Sequence, residues 1–209
     1  MWNSQVIVML LEGIRDTLYM TLASTLFGYI IGLPMGIVLT VTDKDGIRPN
    51  AAVYKVLDVI SNLLRSIPFI ILLIVLIPFT RFVVGRSYGS TATIVPLTIA
   101  AAPYIARMVE SSLKEVDAGV IEAARSMGAS DFQIVTKVML VEARTSLIVG
   151  ATISLGTILG YSAMAGTVGG GGLGDIAIRY GYTRWQTDIM VVTAVSYTHL
   201  RAHETAANL

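Results

Sequence analysis

The chain carries 209 residues and a formal charge of +1, and is 54% hydrophobic but only 14% charged, where a soluble domain holds about 25% charged residues. That deficit, with the apolar residues gathered in long runs, places the protein in the membrane class, and the near-neutral charge gives no footprint for nucleic acid. With no cysteine, disulfides, thiolate zinc sites and iron–sulfur clusters are excluded.

Residues 1–15 lack a basic n-region and no small-residue cleavage site follows, so the first apolar run is expected to be retained rather than cleaved. A spanning helix needs about 20 apolar residues. Residues 17–41 qualify without a single charge, and residues 60–80 form a second candidate with Arg65 near its start. Residues 91–108 form a third, charged only at Arg107, and residues 145–168 a fourth, uncharged throughout. Residues 187–195 open a fifth span that stops about half-way across. The expected fold is all-α: a polytopic transmembrane helix bundle of four full spans plus a truncated fifth over residues 1–195. Residues 196–209 then read as a non-native or frame-disrupted tail. They hold both histidines, His199 and His203, which share a helix face but have no third ligand nearby, so no metal site is expected.

Gly28, Gly32 and Gly36 form a small-residue stripe on the first span, and Gly156 and Gly160 repeat the spacing on the fourth. Such stripes let helix backbones approach closely in lipid, within one subunit or between two. Pro34, Pro68, Pro78, Pro96 and Pro103 sit in or beside spans, where each removes a backbone donor. Kinks of this kind suit a bundle around a pathway, because neighbours or water must satisfy the freed carbonyls. The uncharged span cores hold no Asp, Glu or His, whereas gradient-driven carriers usually need an intramembrane ionisable group. There is no Gly-Lys dipeptide and hence no P-loop. The chain is therefore expected to be non-catalytic, to bind no cofactor, and to draw its energy from another subunit.

Between the third and fourth spans the chain changes character. Asp117 is placed to cap a short helix through Met127, and Gly128 to end it in the left-handed conformation. Ser130 then caps a second helix, with Gln133 three residues on completing a capping box. The prediction is a compact two-helix knob within a loop of about residues 110–144. With that loop inside, the inner set of cations is Lys44, Arg48, Lys55, Arg65, Arg107, Lys114, Arg125, Lys137 and Arg144, against Arg15, Arg81, Arg86, Arg179 and Arg184 outside. This bias favours an external N-terminus. Arg65 and Arg107 read as side chains snorkelling from inner span ends, and Arg125 and Lys137 as solvated or partner-facing charges.

The knob resembles the signature of permease subunits of ATP-binding-cassette importers: Glu-Ala-Ala, three residues, Gly, nine residues, Ile-x-Leu-Pro. Here Glu122-Ala123-Ala124 and Gly128 match in full, while Val138-Met139-Leu140-Val141 departs at Val138 and, by losing the proline, at Val141. The resemblance runs from residue 1 to about 194 and looks closest to the methionine-importing branch. It rests there on stretches such as Arg65-Ser66-Ile67-Pro68-Phe69 and Ala102-Pro103-Tyr104-Ile105-Ala106-Arg107. It implies that Glu122, Ala123, Ala124, Arg125, Met127 and Gly128 couple the chain to cytoplasmic ATP-binding-cassette ATPase subunits. It further implies a permease homodimer, an external substrate-binding lipoprotein, and a location in the bacterial inner membrane. The cargo would be methionine, with another small polar amino acid or peptide as the alternative, and a non-transporting membrane scaffold as a rival of another class. Tyr161, Ser162 and Met164 near the outer end of the fourth span are candidates for the translocation path, because they join hydrogen-bonding groups to a soft, adaptable side chain. Gly169, Gly171 and Gly174 satisfy the spacing of a dinucleotide fingerprint. They follow a span rather than a strand, so a flexible external turn is the expectation.

Overall fold

The computed structural model describes residues 4–206, with side chains through residue 202, so the His203 side chain and residues 207–209 lie outside the description. The regular elements are all helical, and the chain is an all-α bundle. In order they are α1 (Ser4–Thr42), α2 (Ala51–Ser66), α3 (Phe69–Val75), α4 (Ile77–Val84) and α5 (Ser90–Lys114). The knob follows as α6 (Ala118–Ser126), α7 (Asp131–Gln133), a π turn (Ile134–Met139) and α8 (Leu140–Glu142). Then come α9 (Arg144–Ala165), a 3-10 turn (Gly166–Val168), α10 (Gly172–Ile176), a second π turn (Ala177–Tyr182) and α11 (Thr187–Ala206). Among the described residues, α1, α5 and α9 with its 3-10 turn are long and apolar enough to cross a membrane, and the bent pair α2–α3 passes the same test together.

The packing seam of the bundle is α1 against α5. The buried side of α1 is lined with small residues, among them Gly13, Thr17, Thr21, Ser24, Gly28, Gly32 and Gly36. A methyl group placed on Gly32 would lie 2.6 Å from the Ala102 carbonyl oxygen, and one on Gly36 2.7 Å from Val109 Cβ. The glycine stripe is thus spent within the subunit. Gly160 is different: a methyl group there meets nothing within 4 Å. Pro34 sits inside α1, and Pro96 and Pro103 inside α5, without ending either helix. The α1 helix begins at Ser4, well before residue 17, because Glu12, Arg15 and Asp16 suit a helix even though they do not suit hydrocarbon; Arg15 and Asp16 pair at 3.0 Å.

The second expected span needs correcting. Residues 60–80 are not one helix: α2 and α3 meet at a bend of 103°. The cause is Pro68, which disfavours helical geometry at the residue before it. Ile67 is accordingly extended at φ −79°, ψ 124°. α11, which carries the expected fifth span, also runs further than its apolar run, continuing past residue 195 to Ala206, with Tyr197 and Leu200 packed on a cluster of Leu10, Leu173, Ile176 and Ile189.

The Gly169–Gly174 segment is no loose turn. Gly170, Gly172, Leu173 and Gly174 are buried. Gly169, Gly171 and Gly172 take positive φ of 75°, 81° and 71°, which lets the chain double back. Its backbone is stitched to α5 and α1: the Gly89 amide donates to Gly169 O at 2.9 Å, Thr93 Oγ1 to Gly170 O at 3.0 Å, and the Leu173 amide to Thr17 Oγ1 at 2.9 Å. The spacing of a nucleotide fingerprint here serves backbone packing.

Candidate functional site

The knob forms as its capping residues dictate. Asp117 Oδ1 accepts from the Gly119 amide at 2.7 Å and opens α6. Gly128 ends it at φ +84°. The Ser130 amide donates to Gln133 Oε1 at 2.9 Å, and Ser130 Oγ accepts from the Gln133 amide at 3.4 Å, which completes the box. The wider turn at Ile134–Met139 was not foreseen. Residues five apart diverge on an α-helix, and the π turn brings Ile134 and Met139, both buried, onto one core cluster with Ala124, Ala143, Val109 and Leu113. The knob's inner face is therefore continuous with the bundle core.

The outer face is bare. Met127 is 82% exposed and Phe132 76%. Glu122 and Ala123 are also exposed, whereas Ala124 faces inward. Phe132 escaped the sequence reading; its signal was an isolated aromatic two residues after the cap in a segment of small and polar residues. Arg125 is not simply solvated. It donates to the Ile47 carbonyl at 2.7 Å and lies 3.6 Å from Asp131, which ties the knob to the α1–α2 connection.

Arg107 does not snorkel. It lies in an ion-pair cluster at the knob end of α5, paired with Asp58 of α2 and with Glu110 at 2.7 Å. Lys114 bonds Glu110 at 2.8 Å and Asp43 at 2.6 Å, Tyr54 donates to Glu110 at 3.3 Å, and Arg107 reaches Asn62 at 3.2 Å. The hydrogen bond from Lys114 holds the Asp43 carboxyl below the usual carboxylate range. Glu110 is only 5% exposed, and stranding a buried charge by removing its partner costs about 3–5 kcal/mol. Because Lys114 remains beside Glu110, Arg107→Met should fall near the lower end of that range, read as a lower unfolding temperature of the detergent-solubilised protein. Adding Glu110→Gln should restore part of the loss; a double variant no better than the single would show that the stranded charge is not the cause.

The three path candidates are split up. Tyr161 stacks on Phe69, with ring centroids 4.6 Å apart and planes 7° from parallel. Ser162 is buried and donates to Leu159 O at 2.7 Å, while Met164 is 49% exposed. Arg65 is not at an inner span end: it stands at the top of α2, beside Tyr104 and Tyr161.

Residues 20–198 match the model of the binding-protein-dependent transport system inner membrane component family. The chain belongs to that family. As an inner membrane component it resembles the probable D-methionine transport system permease protein MetI of Vibrio cholerae, with 48% identity over 90% of this chain and 83% of that one. It is 54% identical to the D-methionine transport system permease protein MetI of Escherichia coli, over 76% of this chain and 73% of that one. A solved structure of the MetNI methionine ABC transporter in inward facing conformation superposes with a TM-score of 0.97 at 48% identity, covering 99% of this chain and 96% of that one. An amino acid ABC transporter solved with histidines shares the fold, with a TM-score of 0.78 at 20% identity, over 100% of this chain and 96% of that one.

Proposed function

We propose that the chain is the membrane-spanning permease subunit of an ATP-driven importer, forming with a second copy the path for D- or L-methionine. The observation that carries this is the capped two-helix knob, whose inner face belongs to the bundle core and whose outer face is bare. The names and structures of relatives at about half identity supply the cargo. In this reading a cytoplasmic ATPase subunit seats each knob, meeting Glu122, Ala123, Met127 and Phe132. Ala124, Arg125 and Gly128 hold the knob's shape. An external binding lipoprotein delivers the solute, and the N-terminus of α1 lies outside.

Work enters as follows. ATP binding closes the ATPase pair and moves the knobs, and each knob passes the displacement to α5 through shared core. A bound partner shifts the inward–outward equilibrium only by its difference in affinity for the two states. Tyr161 and Met164, three residues apart on α9, share a helix face, and we assign them to the path ahead of Ser162, whose hydroxyl is spent on its own helix. We also assign residues 196–209 to a tail foreign to the fifth span, because the apolar run ends at residue 195, although Tyr197 and Leu200 pack on the bundle.

The test is reconstitution of the full complex in proteoliposomes. ATP-dependent uptake of methionine should exceed that of histidine or a dipeptide at equal concentration. Preferred uptake of another solute would replace the cargo, and ATPase capture without any uptake would favour the scaffold reading.

A further inference from the structure

The α2 helix has two unlike faces. Val53, Val56, Ile60 and Leu63 form an exposed apolar stripe. On the opposite side Tyr54, Asp58, Asn62 and Arg65 follow one another at helical spacing. The lower three are bound into the ion-pair cluster through Arg107 and Glu110. The fourth, Arg65, has no hydrogen bond or ion pair among the described residues, and its side chain is left exposed.

Its depth is what matters. Arg65 borders a recess of about 110 Å³ lined also by Ala100, Tyr104, Tyr161 and Phe69. Ala100 and Tyr104 are mid-way along α5, each about 15–21 Å from either end at 1.5 Å per residue. An unpaired cation at mid-depth is costly and marks a solute path or a partner. A second observation points the same way. The helix breaks at Pro68, so the last carbonyls of α2 lose helical donors at this level. Irregular backbone at such a depth is tolerated only against protein or a water-filled cavity, not against lipid. The face carrying Arg65 therefore meets protein, water or a solute rather than lipid.

We propose that Arg65, with Tyr104 and Tyr161, forms a site in the path for the α-carboxylate of the amino acid in transit. This rests on the importer reading above. The guanidinium offers a planar fork of donors that matches a carboxylate in two parallel bonds. Tyr104 and Tyr161 line the same recess, and a tyrosine can offer both a hydroxyl donor and apolar ring surface to a solute there. The recess takes only the carboxylate end; the side chain of the solute lies in the open space beyond, so the site recognises what all amino acids share. Cargo choice is left to the external binding protein.

The test uses the solubilised permease–ATPase complex without the binding protein, and radiolabelled L-methionine at equilibrium. N-acetyl-L-methionine, which keeps the carboxylate, should compete, and L-methioninamide, which lacks it, should not. Arg65→Gln should weaken methionine binding about tenfold and erase the difference between the two competitors, whereas Arg65→Lys should keep the preference for the acid. Equal competition by the amide on the wild type, or intact discrimination in Arg65→Gln, overturns the site. Wild-type uptake of methionine in vesicles separates the two levels. Uptake with binding indifferent to Arg65 overturns only this inference; no methionine uptake at all overturns both.

Discussion

Gly36→Leu should leave little folded monomer, whereas Gly160→Ala, one glycine of the other stripe, should be silent. At Gly36 even a methyl group falls 2.5 Å from the Ala106 carbonyl oxygen and 2.8 Å from Val109 Cγ1, and the nearest of those atoms is backbone, which cannot rotate aside. Overpacking commonly costs about 1–3 kcal/mol for small additions, and a leucine adds more than one carbon to a seam with no room for the first. Gly36→Ala should therefore destabilise measurably and Gly36→Leu should lose the α1–α5 contact. At Gly160 the space is open, and such changes stay within about 0.5 kcal/mol. Monodispersity and unfolding temperature in mild detergent read the series. Wild-type behaviour of Gly36→Leu would mean that α1 does not rest on α5 as described.

The second large effect is expected at the tip of the knob. Met127→Asp combined with Phe132→Asp should abolish capture of the ATPase subunit while the permease itself folds and inserts normally. Both side chains are mostly exposed, so the fold loses nothing when they become polar, but a docked partner would have to bury two carboxylates. Anchors of this type commonly carry 2 kcal/mol or more of an interface, or about thirtyfold in affinity. Glu122→Arg, which reverses an exposed charge on the same surface, should weaken capture less. Co-purification on a tagged ATPase, with the unfolding temperature of the free permease as a control, reads both. Undiminished capture by the Met127/Phe132 variant would remove the knob from the interface.

What the sequence made legible was local. Asp117, Gly128, Ser130 and Gln133 act within a few residues of themselves, so their chemistry could be read without knowing what surrounds them. The long apolar runs likewise declared the bundle. The features that escaped depend on distant partners. Arg107 finds Asp58 across 49 residues of chain, and the spacing of Arg107, Glu110 and Lys114 along one face of α5 was the only trace. The break at Pro68 was masked by an apolar run that continues on both sides, although a proline's effect on its predecessor was a readable warning. The π turn at Ile134–Met139 had no local signal, because the pull of the core on two residues sets it.

The Gly169–Gly172 backbone has a mechanical consequence. By bonding to Gly89 and Thr93 at the start of α5 and to Ala165 at the end of α9, while the segment after it bonds to Thr17 within α1, it holds three long helices together. At the opposite end the ion pairs fasten the foot of α2 to α5, and Arg125 fastens the knob to the α1–α2 connection. Among the described residues, the 103° elbow between α2 and α3 carries no ion pair of this kind. On the proposed coupling role, a push arriving at the knob would be relayed along α2 to the elbow, at the height where Arg65 stands.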